Sequence, residues 1–154
     1  MTRAERRARR NRAARIARQF GFAGSVEYRH VYSQSGGAQY GRGQTPEQDL
    51  LTVYAEAFER DADPEDFTLE AMIAHECGHQ ILARHPRIAK RAVGLSEESE
   101  EILASLLGAM MCKADADRVA LLAKASAELL ARGQTAESAN RQLQDLWDLL
   151  ERLI

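Results

Sequence analysis

"FTLEAMIAHECGHQILARHP", residues 67–86, decides how this chain is read. Leu69, Met72, Ile73 and Cys77 recur at helical spacing and make one apolar stripe, so the stretch is expected to be a helix. Thr68 is placed to cap its start, and Pro86 to end it, because a proline ring disfavours helical backbone in the residue before it. His75 and His79 are four residues apart, one turn above the other, so both imidazoles can reach one ion from the same side. Zinc–nitrogen bonds of about 2.0–2.1 Å demand that closeness. Glu76 stands one residue round from His75, where a carboxylate can take a proton from water and return it to a leaving group. Gly78 leaves space on the helix for another backbone or a ligand. The plain alternative is polar side chains on an ordinary helix surface, since H-E-x-x-H also arises by chance.

A catalytic zinc site takes a third protein ligand and keeps a fourth position open. The next segment, "EESEEILASLLGAMMCK" (97–113), supplies candidates in Glu97, Glu98, Glu100 and Glu101. Ser96 is its expected cap, and the acidic first turn suits the helix dipole, which by itself accounts for some of these glutamates. Stepping from Glu101 by four, seven and eleven reaches Ser105, Gly108 and Cys112, with Glu98 on the same stripe. Small residues there would let this helix lie close against the His75/His79 helix, while Leu103, Leu106 and Met110 anchor an adjacent stripe. Glu101 therefore ranks first as third ligand, ahead of Glu98 and Glu100.

"HECGH" followed by a glutamate-bearing helix resembles the gluzincin zinc metallopeptidases, and within them the minigluzincins and the ImmA/IrrE-like peptidases. Their second helix carries a pattern close to E-x-x-A-D-x-F-A, which "EILASLLGA" matches through Glu101, Ala104 and Gly108. Ser105 stands where an aspartate usually orients a metal-bound histidine, and Leu107 replaces the aromatic. His85-Pro86 is also similar to a feature of the ImmA/IrrE group. The likeness spans roughly residues 24–112. It implies a zincin-like fold, a Zn2+ held by His75, His79 and Glu101, and Glu76 as general base and then acid. It further implies a donor that steadies the oxyanion, for which Tyr40 and Tyr54 are candidates. An extended substrate would pair with an edge strand before the active helix, and "LLTVYAEAF" (50–58) has that position.

Outward from the motif, "SVEYRHVYSQ" alternates Val26, Tyr28 and His30 against Glu27, Arg29 and Val31 and reads as a strand. "DLLTVYAEAF" reads as a second strand with Leu51, Val53 and Ala55 facing one way, a short helix being the competitor. Between them "SGGAQYGRGQTPEQ" (35–48) has four glycines and a proline and is expected to be a mobile loop, as "ERDADPED" (59–66) is expected to be a polar one. "PRIAKRAVGL" (86–95) reads as a connection. "DADRVALLAKASAELLARG" is a third helix stopped by Gly133, and Thr135 caps a last one whose Leu143, Leu146, Leu150 and Leu153 form a seam. That seam spans under two heptads, so it is read as packing within the domain. The sum is an α+β fold: a small, mostly antiparallel sheet on the active helix, then the glutamate helix and C-terminal helices. A length of 154 residues fits one domain, with residues 1–20 a helical arm and 114–154 a C-terminal extension.

Charge is uneven. Residues 1–18 hold eight arginines and one glutamate, a side-chain charge of +7 within an overall −2, which leaves −9 on the rest. Such an arm could bind nucleic acid phosphates, dock on the acidic body across the cleft, or simply be a solvated helix. Without interleaved aromatics any nucleic-acid contact would be blind to sequence. Two cysteines, Cys77 and Cys112, are too few for a disulfide framework, and both are read as core. His85 reads as a residue of the helix C-terminus and His30 as an ordinary strand residue. No signal-peptide core and no run of about 18 apolar residues is seen, so a cytoplasmic protein with no membrane span is expected. The leading expectation is a zinc-dependent metalloendopeptidase acting on a peptide or protein substrate. The alternatives are a zincin-like module that associates with nucleic acid through its arm, and a structural zinc site closed by a fourth ligand.

Overall fold

Two helices that touch backbone to backbone hold the molecule together. A computed structural model describes residues 1–33, 36–59 and 67–154, so the expected polar loop at 59–66 lies, but for Glu59, outside the described residues. The first of the pair, α2 (Leu69–Arg84), starts at Thr68, whose hydroxyl accepts from the Ala71 N–H. The second, α4 (Glu97–Met111), starts at Ser96, whose hydroxyl accepts from the Ser99 N–H. Both caps satisfy an amide that the first turn leaves without a partner. A Cβ on Gly78 would lie 2.2 Å from the Ala104 carbonyl oxygen, and one on Gly108 would lie 2.9 Å from the carbonyl of Ala74. Glycine at these two places is therefore what allows α2 and α4 to approach so closely.

A three-stranded sheet lies on α2. Its strands are β1 (Ser25–Arg29), β2 (Ala38–Gly41) and β3 (Leu50–Tyr54), in the order β1-β3-β2. β1 runs parallel to β3 and β2 antiparallel to it, so the sheet is mixed and not mostly antiparallel. The parallel pair arises because the chain passes through β2 before entering β3. Register places Val26, Tyr28, Ala38, Tyr40, Leu51 and Val53 on one face. The other face carries Glu27, Gln39, Thr52 and Tyr54, with Thr52 donating to Glu27 at 3.0 Å. This alternation is what a sheet with one covered face requires.

The stretch "LLTVYAEAF" was expected at the edge and is instead the centre: Leu51, Thr52 and Val53 are all buried, and a 3-10 turn follows at Ala55–Ala57. The edge beside the helices is β2, which lies inside the expected glycine-rich loop. Its glycines serve close approach, since a Cβ on Gly37 would lie 2.6 Å from the Met72 sulfur.

The arginine-rich segment is α1 (Arg3–Gln19), begun by a capping box between Thr2 and Glu5. Ala13, Ala14, Ile16 and Ala17 bury against the sheet and α2, joining Val26, Leu51, Ile73 and Cys77 in one core cluster. The arm is thus part of the sheet-side core and does not lie across the cleft. Residues 86–95 are not a plain connection: α3 (Pro86–Ala92) occupies most of them, with Pro86 in the first turn, where its missing N–H costs nothing.

A second cluster lies on the far side of α4, against α5 (Asp115–Ala131) and α6 (Ala136–Leu153). It contains Leu106, Leu107, Ala125, Leu129 and Leu150, and the leucine seam of α6 packs into it. Each fully buried leucine adds about 1.5–3 kcal/mol of transfer free energy. Gly133, at φ 85°, takes the left-handed conformation that stops α5. Among the described residues the architecture is α+β, six α-helices and three strands, and no helix is long and apolar enough to cross a membrane.

Candidate metal centre

Close contact of α2 and α4 sets the carboxylate of Glu101 against both imidazoles. Nε2 of His75 is 2.8 Å from Glu101 Oε2, and Nε2 of His79 is 3.1 Å from Glu101 Oε1. The two rings stand nearly perpendicular, centroids 4.9 Å apart. One donor atom from each of the three side chains lies within 4.8 Å of the others, a set that could hold a metal ion.

The opposite ring nitrogens are held by α4 as well. Nδ1 of His75 is 2.9 Å from the hydroxyl of Ser105, which is buried, and Nδ1 of His79 is 3.4 Å from Glu100 Oε1. Facing a carboxylate, each Nε2 carries the N–H that Glu101 accepts in the metal-free state, and the Ser105 hydroxyl, which can donate or accept, partners Nδ1 of His75 in either tautomer. Ser105, which stands at the position of the aspartate in the resemblance, is the partner of His75 Nδ1. Glu100 braces His79 from behind, while Glu97 and Glu98 lie away from the set, with Glu98 paired to Arg132 at 3.4 Å.

Burial pushes the His75 pKa down to about 4, so it is neutral at neutral pH, the form that ligates metals. At His79 burial also opposes protonation, but the Glu101 hydrogen bond and the Glu76 and Glu101 charges outweigh it and raise the pKa. Hydrogen bonds from His75 and His79 hold the Glu101 carboxyl well below the usual carboxylate range. Glu76, half-buried in the cavity wall, is raised by burial to about 7, with the Glu101 charge adding and His79, Lys124 and the Tyr40 amide opposing. In this state the two imidazole–carboxylate hydrogen bonds occupy the place where a cation would meet all three side chains.

A cavity of about 230 Å³ opens beside the set, with His75, Glu76, Met72, Gly37, Phe67 and Lys124 in its wall. Lys124, on α5, places Nζ 3.5 Å from His75 Nε2 and 3.9 Å from Glu101 Oε2. Its ammonium also sits 5.9 Å from the centre of the Phe67 ring. Sequence reading missed Lys124, and no signal could have found it: it is 45 residues from His79 and belongs to no local motif.

The two tyrosines considered as oxyanion donors are not available. Tyr40 donates its hydroxyl to Asp49 Oδ2 at 2.7 Å, and its ring lies parallel to His79 with centroids 6.5 Å apart. Tyr54 donates to Gln39 on the polar face of the sheet. Asp49 is fully buried and also accepts from the Gly43 amide, Gln80 and Arg84, the last at 2.8 Å. Burial opposes ionisation there, but these four donors outweigh it and keep the carboxyl far below its ordinary range. The network ties the β2–β3 turn to the last two turns of α2 and fixes Tyr40 over His79.

Outside the set, His85 caps the junction of α2 and α3 with Nδ1 buried and without a partner. His30 bonds Tyr28 at 2.8 Å on the exposed end of β1. Cys77 and Cys112 are free thiols in the core, the second pushed up to about 11 by burial. Compared with known proteins, the chain matches no family model, no curated protein and no solved structure.

Proposed function

We propose that the protein is a zinc-dependent metallopeptidase of zincin-like architecture, with His75, His79 and Glu101 as metal ligands and Glu76 as the proton carrier. The observation that carries this reading is a two-imidazole, one-carboxylate donor set whose His75 lines one cavity together with Glu76. Two nitrogens and one oxygen suit Zn2+, and three protein ligands leave a coordination position free for substrate chemistry. When bound, such an ion supplies Lewis acidity, lowering the pKa of a water and polarising a carbonyl.

The chain's own groups do the rest. Glu76 takes the proton from the attacking water and delivers it to the leaving nitrogen, a task suited to a carboxylate that lines the cavity beside His75. Ser105 and Glu100 keep the two rings in the ligating tautomer. β2 has one side paired to β3, and its other side is a strand edge near Glu76, where an extended peptide can add as a further strand. Buried free thiols agree with a reducing, cytoplasmic setting. The test is proteolysis of an unstructured protein such as casein by the zinc-loaded chain. Cleavage by the wild type and none by Glu76→Gln supports the reading, whereas equal cleavage by the variant refutes the mechanism.

A second reading is favoured by α1. The side chains of Arg3, Arg6, Arg7, Arg15 and Arg18 are exposed and make no hydrogen bond or ion pair among the described residues. Such a row can bind phosphates, and filter binding to DNA and RNA at rising salt tests it, because phosphate contacts must weaken steeply.

A further inference from the structure

We propose that Lys124 is a catalytic residue: its ammonium holds the carbonyl oxygen of the scissile peptide as negative charge develops there. This rests on the hydrolase reading above and adds to it the oxyanion donor that neither tyrosine supplies. Oxyanion chemistry needs a positioned donor in the site. Among the described residues of the cavity wall, only His75 and Lys124 bring a side-chain N–H. The imidazole is already occupied by Ser105 and Glu101. Both tyrosines are turned to other partners.

Lys124 is also held in place. Its neighbours on α5, Leu121 and Ala125, are buried in the core. The start of α5 is tied to the start of α2 by the hydrogen bond from the Thr68 hydroxyl to Asp117, 2.6 Å long. The ammonium has three N–H groups and touches Nε2 of His75 and Glu101. Ligation at His75 would claim the Nε2 lone pair, leaving that N–H for a cavity ligand. In the reaction, a bond forms from the water oxygen to the carbonyl carbon and the C=O electron pair moves to oxygen. Lys124 donates a hydrogen bond to that oxygen and keeps its protons. The pair then returns, the C–N bond breaks, and Glu76 passes the water's proton to nitrogen.

The test uses the full chain loaded with Co2+ and methylphosphonate as a tetrahedral oxyanion probe, read by the visible d–d bands. Wild type, Lys124→Met and Lys124→Arg are compared, each checked for folding by thermal denaturation. Lys124→Met should bind Co2+ as the wild type does but lose roughly tenfold to a hundredfold in methylphosphonate affinity, the scale of one charged hydrogen bond. Lys124→Arg should recover part of the loss. Methylphosphonate affinity equal to wild type in Lys124→Met overturns the proposal, as does a wild type that takes Co2+ and ignores methylphosphonate. Tighter Co2+ binding by Lys124→Met with unchanged anion affinity would make Lys124 a counter-charge for Glu101 alone. A wild type that takes up no Co2+ would instead defeat the hydrolase reading itself.

Discussion

The Ser105 hydroxyl lies 2.9 Å from Nδ1 of His75, and both side chains are buried. That contact decides which imidazole nitrogen faces Glu101. When a cation takes the Nε2 lone pair, the ring proton moves to Nδ1, and the Ser105 hydroxyl is there to accept it. Ser105→Ala should therefore weaken zinc binding by about 10–100-fold, the usual effect of losing a hydrogen bond behind a ligand. Competition with a chelating dye measures this, and an unchanged affinity would show that packing alone orients the ring.

Gly78 governs the distance between the helices that carry His75, His79 and Glu101. A Cβ there would meet the backbone of Ala104, which cannot swing aside as a side chain can. Gly78→Ala should cost about 1–3 kcal/mol in urea denaturation, as overpacking does. It should also weaken zinc binding, because Glu101 rides on the helix that must retreat. Loss of stability with intact metal affinity would detach the site from this contact.

Glu76 gives the metal-free protein a pH dependence of known sign. Its folded pKa, about 7, lies above its ordinary value, so its contribution is fully present below about pH 4.5 and is lost as pH rises through 7. Glu76→Gln should thus stabilise the metal-free chain at pH 8, by roughly 2–3 kcal/mol. The gain should vanish at pH 4. A divalent cation favours the charged carboxylate, so zinc should shrink the gain. Thermal melts of both proteins with and without zinc read all three outcomes, and a variant no more stable than wild type at pH 8 would contradict the account.

Asp49 anchors the turn that carries β2 to the end of α2. Removing its charge leaves the Arg84 guanidinium, itself mostly buried, without its partner. Asp49→Ala should cost about 3–5 kcal/mol in denaturant unfolding, the scale of breaking a buried pair. Because the Asp49 carboxyl is depressed, its share of stability is present above its ordinary range and is lost as acid protonates it. The variant should lose that acid-dependent part of the wild type's unfolding. A cost under 1 kcal/mol would show the network to be dispensable.

Local periodicity made α2, α4 and the meeting of His75, His79 and Glu101 readable in the sequence. His75 and His79 share a turn, and Glu101 and Glu98 lie on the same helix stripe as Ser105 and Gly108, so spacing could set these two above Glu100. Cap residues Thr68, Ser96 and Thr135 were legible for the same reason. What failed depends on distant pairing. β2 is four residues among glycines, and only its partner β3 makes it a strand. Its insertion beside β3 is also what moved "LLTVYAEAF" from edge to centre. Pro86 ends one helix and begins another, and only the first half of that double role was read. Asp49 meets Arg84 across 35 residues and Lys124 meets His75 across 49, separations at which no residue pattern announces a contact.

The central claim is that one divalent ion sits between His75, His79 and Glu101. Elemental analysis of the purified chain, loaded with zinc and freed of excess by gel filtration, tests it most directly. The account predicts one zinc per chain, with almost none retained when His79 or Glu101 is replaced by alanine. A wild-type chain that emerges without zinc, or variants that keep it, would contradict the claim.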